Sequence, residues 1–303
     1  MSNLVLTSGS AYIDIDAYSS CIAYRELLLA QGISAKAVTT APLNESVSKI
    51  IREIPLSFDN YKPTDQDKFI ILDVSEPNYI DRFVEQSRVV ELLDHHTGNE
   101  EYWNNLIGDK SQIIKIGSVA TMIFEKFVEA GKEDTLTQDV CKLLIAAIVD
   151  NTLNLKSGTT IDRDIHAFNR LMEIGGIDPK WTIEYLEDCE KSILADLKDS
   201  IKRDTKTLSY ENLPKLVAQM TVYNHDKILN QSDLIKDVFV GQEDWVLNII
   251  SLKSGKSHFL TNSIISKTKL EKLFGKKFVG GVLELDKFKL RKEIFALAQN
   301  QMS

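Results

Sequence analysis

The 303-residue sequence predicts an α/β protein, with a mostly parallel sheet in a first domain and a smaller α+β domain after it. Three observations predict it. Short apolar strands alternate with helical stretches over residues 1–180, the rhythm of βαβ units whose sheet is covered on both faces. Several of the apolar runs end in acids, and one runs straight into Asp94-His95-His96, which holds two of the only five histidines. The charge then changes sign along the chain: residues 1–189 carry 17 cationic and 30 acidic side chains, residues 190–303 carry 19 and 14.

The elements follow in order. Leu4-Val5-Leu6 is a strand leading into Thr7-Ser8-Gly9-Ser10 and then Asp14-Ile15-Asp16. Residues 17–31 read as an amphipathic helix ending at Gly32, and residues 46–54 as a helical stretch ended by Pro55. Phe69-Ile70-Ile71-Leu72 is a second strand, ending in Asp73; residues 78–87 link it to a third, residues 88–93. Ser118 suits the N-cap of a helix over 119–131. Residues 137–149 read as a buried helix with Asp150 at or beyond its end, and residues 162–174 as a helix stopped by Gly175-Gly176. Residues 180–206 are charged and mostly helical. A hinge near residues 188–192 would divide a first domain, 1–187, from a second, 192–303, with strands over 216–222, 245–251 and 279–285.

Strands that end in acids and imidazoles deliver those groups to the carboxyl edge of the sheet, where open α/β sheets place their chemistry. One Asp after a strand is usually a turn former. Several, with a histidine pair, suggest oxygen and imidazole ligands suited to Mn, Mg, Co or Zn. The acidic half suits cations and the basic half anions. The basic half has no basic helix and no aromatic–basic repeat, which argues against a nucleic-acid partner. No apolar run approaches the roughly 20 residues of a membrane span. Three unclustered cysteines, Cys21, Cys141 and Cys189, and an N-terminus without a basic leader fit a cytoplasmic protein, not a disulfide framework. Nothing in the sequence specifies an oligomeric state.

Asp14-x-Asp16, Asp73, Asp94-His95-His96 and Asp150 resemble the four motifs of the DHH phosphoesterase superfamily. Gly117-Ser118-Val119-Ala120-Thr121 is similar to its GS-x-AT helix start, and Asp150-Asn151-Thr152-Leu153 with Lys156-Ser157 to its D-T-L-x-x-K-S stretch. Strict register with that stretch would put the family's Asp on Asn151. Lys206 and Arg291-Lys292 look like the phosphate-binding groups of the two-domain DHH–DHHA2 branch, which contains family II pyrophosphatases, exopolyphosphatases and prune-like phosphodiesterases.

The resemblance implies two divalent ions, Mn2+ or Mg2+ with Co2+ also suitable. Asp14 would bind the first and Asp16 the second, with Asp73 bridging both and His95 and Asp150 completing the ligand set of the second ion. Asp94 would orient a histidine, and His96, Lys206, Arg291 and Lys292 would meet the phosphates of a small substrate. Asp16 could in addition cap the helix that follows it. The implied activity is hydrolysis of pyrophosphate or short polyphosphate. A nucleotide phosphodiesterase and a non-catalytic phosphate- or protein-binding homologue remain open. The pattern departs at Ser10, where pyrophosphatases carry a metal-binding histidine, and at Leu290 and Glu293 beside the Arg-Lys pair.

Overall fold

The computed structural model describes residues 3–300. The chain divides into two units, Met1–Tyr185 and Leu186–Ser303. The boundary falls within the helix Lys180–Ala195, ahead of the expected hinge.

The first unit runs β1 (Leu4–Thr7), α1 (Ile15–Ala30), β2 (Ala35–Ala37), α2 (Lys49–Arg52), β3 (Lys68–Leu72), β4 (Val89–Asp94), α3 (Glu100–Ile107), β5 (Ser111–Ile113), α4 (Val119–Glu129), α5 (Gln138–Asn151), α6 (Asp162–Gly175) and the start of α7 (Lys180–Ala195). Its sheet has the order β2-β1-β3-β4-β5, and every pair is parallel. From β1 the chain moves to one side for β2, then crosses to the other for β3. Strand order therefore reverses between β1 and β3, the kind of switch point outside whose carboxyl ends open α/β sheets place their ligands.

Alternation along the strands sends Val5, Phe69, Ile71 and Leu92 to one face, where Trp103 of α3 packs with them. Leu6, Ile70, Leu72 and Leu93 alternate to the other face and are fully or almost fully buried. There α1 lies against β1 and β3, and α4 and α5 pack on α1. Asp164 ties α6 to the start of α4 by accepting from Gly117 N (3.0 Å), Ile161 N (2.9 Å) and Thr121 Oγ1 (2.7 Å). A Cβ on Gly117 would lie 2.6 Å from Asp164 Oδ2 and from Thr152 Cγ2, so only glycine fits.

The second unit contains α8 (Leu197–Asp204), β6 (Lys206–Thr207), β7 (Leu216–Val222), α9 (Asp226–Leu229), α10 (Ser232–Val238), β8 (Trp245–Ser251), β9 (Lys256–Leu260), α11 (Ile264–Phe274), β10 (Val282–Leu285) and α12 (Arg291–Asn300). Its sheet is mixed, in the order β10-β9-β8-β7-β6, with β7 and β8 parallel. Trp245, Leu247 and Ile249 of β8 face one core with Leu197 and Ile201, while Val246 faces another with Phe259, Leu270 and Ile294.

Four expectations change. Only Lys49–Arg52 is helical within residues 46–54, because the Asn44 side chain accepts from Ser46 N (2.9 Å) and Ser46 Oγ (2.6 Å) and holds the chain in a turn. Helix α5 ends at Asn151 and not at residue 149, which leaves Asp150 at its end as expected. The long 180–206 stretch breaks at Asp196 into α7 and α8. The last strand starts at Val282, since Gly280 and Gly281 turn the chain with φ of +58° and +87°.

Candidate metal centre

The centre is built where β1, β3 and β4 end. Asp73 follows β3 directly and adopts φ +59°, a left-handed conformation that Asp tolerates better than most residues. Its N–H bonds to Leu93 O (2.9 Å), which turns the chain and leaves the carboxylate buried at the strand ends. Asp73 Oδ1 is buried and has no hydrogen-bond partner. It lies 3.4 Å from His95 Nε2 and 3.8 Å from His96 Nδ1.

The two histidines are aimed differently. His95 Nδ1 faces the carbonyl of Ile116 at 3.2 Å. A carbonyl only accepts, so Nδ1 carries the proton and the Nε2 lone pair faces Asp73. His96 Nδ1 donates to Asp94 Oδ1 (2.8 Å), and its side chain is 64% exposed. The same Asp94 oxygen accepts from His95 N (2.7 Å) and His96 N (3.1 Å), so one buried carboxylate fixes the whole turn. Burial opposes ionisation of Asp94, but the His96 hydrogen bond and charge outweigh it and hold its pKa below the usual range. His96 is correspondingly raised, chiefly by Asp94. Ser75, missed in the sequence, pins the turn from the other side: its hydroxyl donates to His96 O (3.0 Å), and Trp103 Nε1 donates to its carbonyl (2.6 Å).

Asp14 caps α1, its Oδ1 accepting from Asp16 N (3.1 Å) and Ala17 N (3.0 Å). The expected cap of α1 by Asp16 is therefore incorrect. Asp16 is fully buried in the first turn and serves α4 instead, accepting from Ser118 Oγ (2.8 Å), Val119 N (2.9 Å) and Ala120 N (2.9 Å), with Ser20 Oγ at 3.3 Å. That explains the Gly117-Ser118 start of α4: its first N–H groups meet a carboxylate about a hundred residues away in sequence.

Asp150 projects from the last turn of α5. Burial, followed by repulsion from Asp14, raises its pKa to about 7, although a hydroxyl hydrogen bond from Tyr185 opposes the shift. Asn151, the alternative in strict register, turns its amide back onto Ala147 O (3.3 Å). Beyond Asp150 three consecutive non-glycine residues, Leu153, Asn154 and Leu155, have φ of +52°, +56° and +61°. Thr152 holds this strained run, accepting from Leu155 N (3.0 Å), Lys156 N (2.9 Å) and Ser157 N (2.8 Å). Tyr185, fully buried, donates toward Ser46 O (3.1 Å) and Asp150 Oδ1 (3.4 Å). Nothing local in the sequence marks Tyr185, because its partners are 139 and 35 residues away.

These donors fit a divalent cation. Asp73, His95 and His96 place ligand atoms within 4.8 Å of one another. Burial, then Asp16, Asp14 and Asp94 in turn, push Asp73 well above the carboxylate range. An orphaned carboxylate oxygen facing an imidazole lone pair, among acids that repel one another, is stabilised by a cation.

The expected phosphate ligands lie in the second unit. Lys206 and Lys292 are exposed, on β6 and at the start of α12. Arg291 is not free for a ligand. Its Nη1 meets Asp204 Oδ2 (2.9 Å), Asp204 O (2.5 Å) and Val217 O (3.2 Å), and Nη2 meets Asp204 Oδ1 (3.2 Å).

Residues 5–148 match the model of the DHH family, N-terminal domain. A Bacillus cereus protein named "Probable manganese-dependent inorganic pyrophosphatase" is 26% identical over 250 residues, covering 81% of this chain and 80% of that one. A Lactobacillus johnsonii protein of the same name is 25% identical over 297 residues, 92% of each chain. Among solved structures, a Methanococcus jannaschii protein described as a "putative family II inorganic pyrophosphatase" superposes over 100% of both chains with a TM-score of 0.62 at 21% identity, so the fold is shared. With its motifs at the ends of β1, β3 and β4, the first unit of this chain is similar to the DHH-family N-terminal domain over residues 5–148.

Proposed function

We propose that the protein is a divalent-metal-dependent phosphoanhydride hydrolase acting on inorganic pyrophosphate or short polyphosphate. The observation that carries this reading is the buried, unpartnered Asp73 Oδ1 facing His95 Nε2 at 3.4 Å. Asp73, His95, Asp14 and Asp150 would hold the metal, with Mn2+ favoured by the imidazole in the set. A cation there would polarise phosphoryl oxygens and lower the pKa of a water near neutral pH. The names of the manganese-dependent relatives support the same reading.

The chain's own groups do the rest. Asp94 keeps His96 protonated at Nδ1 and fixes its ring, so the exposed imidazole can meet substrate phosphate. In the second unit, Lys206 and Lys292 present exposed, compact positive charge of the kind that suits phosphoryl oxygens. Arg291 joins them only by exchanging Asp204 for phosphate, and until then it anchors the start of α12 beside Lys292.

A substrate panel tests this. The Mn2+-loaded protein should release orthophosphate from pyrophosphate and tripolyphosphate, and chelation should abolish it. Turnover confined to cyclic nucleotides or dinucleotides would replace the anhydride reading with a phosphodiesterase. No turnover on the whole panel would leave a binding protein.

A further inference from the structure

We infer that Tyr185 is a positioning residue of the metal centre: its hydroxyl ties the Asp150 carboxylate to the segment that straps the Asp14–Asp16 turn, so that a divalent ion meets this ligand already oriented. The inference rests on the metal-dependent reading above and deepens it.

The strap is residues 42–46. Ile13 N donates to Pro42 O (2.8 Å), Asn44 N to Ile13 O (2.9 Å) and Ile15 N to Ser46 Oγ (2.9 Å), so the strap follows the first motif closely. The Tyr185 hydroxyl lies 3.1 Å from Ser46 O and 3.4 Å from Asp150 Oδ1. It therefore stands between the first motif and the acid at the end of α5. One hydroxyl proton faces a carbonyl and a carboxylate. The ionised carboxylate is the stronger acceptor of the two. With a cation keeping Asp150 ionised, the proton turns to Asp150 and the hydroxyl holds the carboxylate in place.

The neighbouring acids have other anchors. Asp16 and Asp94 each collect several donors, and Asp14 accepts two backbone amides. Among the described residues, the Tyr185 hydroxyl is the one donor that reaches the Asp150 side chain. After burial, repulsion from Asp14 and then Asp16 disfavours the Asp150 carboxylate, which places it in the same cluster of acids.

The donor is itself held. Tyr185 is fully buried, and Trp181, one turn earlier in α7, stacks on it with ring centroids 6.1 Å apart and planes 14° apart. A side chain locked by packing can orient its partner. Phenylalanine would fill the same space, so what tyrosine adds is the hydroxyl between Ser46 and Asp150.

Mn2+ affinity tests the role. Tyr185→Phe keeps the ring and its stacking and removes only the hydroxyl. Calorimetric titration of the metal-free full chain should show Mn2+ affinity about tenfold to a hundredfold lower than wild type, the range for losing a group that orients a ligand. In an Asp150→Ala background the same change should alter affinity by no more than about twofold, because the hydroxyl acts through Asp150. A purely structural tyrosine would cost the same in both backgrounds. That result, or an unchanged affinity in Tyr185→Phe, would overturn the inference. Pyrophosphate hydrolysis by the same proteins separates this claim from the function. Hydrolysis by wild type, with equal Mn2+ affinity in Tyr185→Phe, would remove the positioning role and leave the function. Weakened Mn2+ binding in Tyr185→Phe, with no phosphoanhydride hydrolysed by wild type, would remove the function and leave the role of Tyr185.

Discussion

Asp94 makes the DHH turn into a single rigid part. Three donors converge on one buried oxygen, so losing its charge should disturb both histidines at once. Asp94→Asn is expected to weaken Mn2+ binding by about tenfold to a hundredfold, because the turn that Asp94 fixes carries His95, whose backbone N–H it accepts. Calorimetric titration of the metal-free protein measures it, and unchanged affinity would mean that Asp94 does not orient the ligands. Not every residue was equally legible. Asp73, His95 and His96 could be read from the sequence because a strand ending in a charged group announces itself locally. The role of Asp16 could not be, because Ser118 is 102 positions away. Arg291 was legible as a cation but not as a paired one, since Asp204 lies 87 positions before it.

The elements are positioned by similar long-range links. Gly117 lets α4 begin against Asp164 and Thr152, where a methyl group would approach to 2.6 Å. Gly117→Ala should therefore cost about 1–3 kcal/mol, as overpacking does, and lower the melting temperature by roughly 3–10 °C. A melting curve matching wild type would show that this close approach is not limiting. In the second unit, His258 stacks on His225 with ring centroids 3.7 Å apart. Burial first, then His225 and Lys256, outweigh Glu284 and Asp226 and lower the His258 pKa to about 4. The folded state thus favours neutral His258, whereas the unfolded chain takes its proton near 6.5. This contribution is complete above about pH 6.5 and is lost as pH falls toward 4, to the extent of roughly 3 kcal/mol. Urea unfolding followed at pH 7 and 4.5 should show the loss, and His258→Phe should flatten it; an equal loss in the variant would place the pH dependence elsewhere.

At the scale of the whole molecule, the metal ligands and the cationic residues belong to different units. Mn2+ alone should slow amide exchange around Asp14, Asp73, His95 and Asp150 and leave residues 186–303 unchanged. Metal-induced protection in the second unit without substrate would contradict the confinement of the ligands to the first. The two-unit α/β plan was legible because acid-terminated strands and a change in charge balance repeat over long windows. The short strands β2 and β5 were not, as three residues carry too little pattern.

The claim that unites these scales is that Asp73 and His95 hold a divalent ion that drives phosphoanhydride hydrolysis. Its most direct test is orthophosphate release from pyrophosphate as Mn2+ is titrated into metal-free protein, wild type beside Asp73→Asn. Asparagine tolerates the left-handed backbone at position 73, so the variant removes the charge and spares the turn. Wild type should gain activity with Mn2+, and Asp73→Asn should lose roughly two orders of magnitude or more in kcat/KM at every Mn2+ concentration. Equal rates in the two proteins, or a wild-type rate indifferent to Mn2+, would contradict the account.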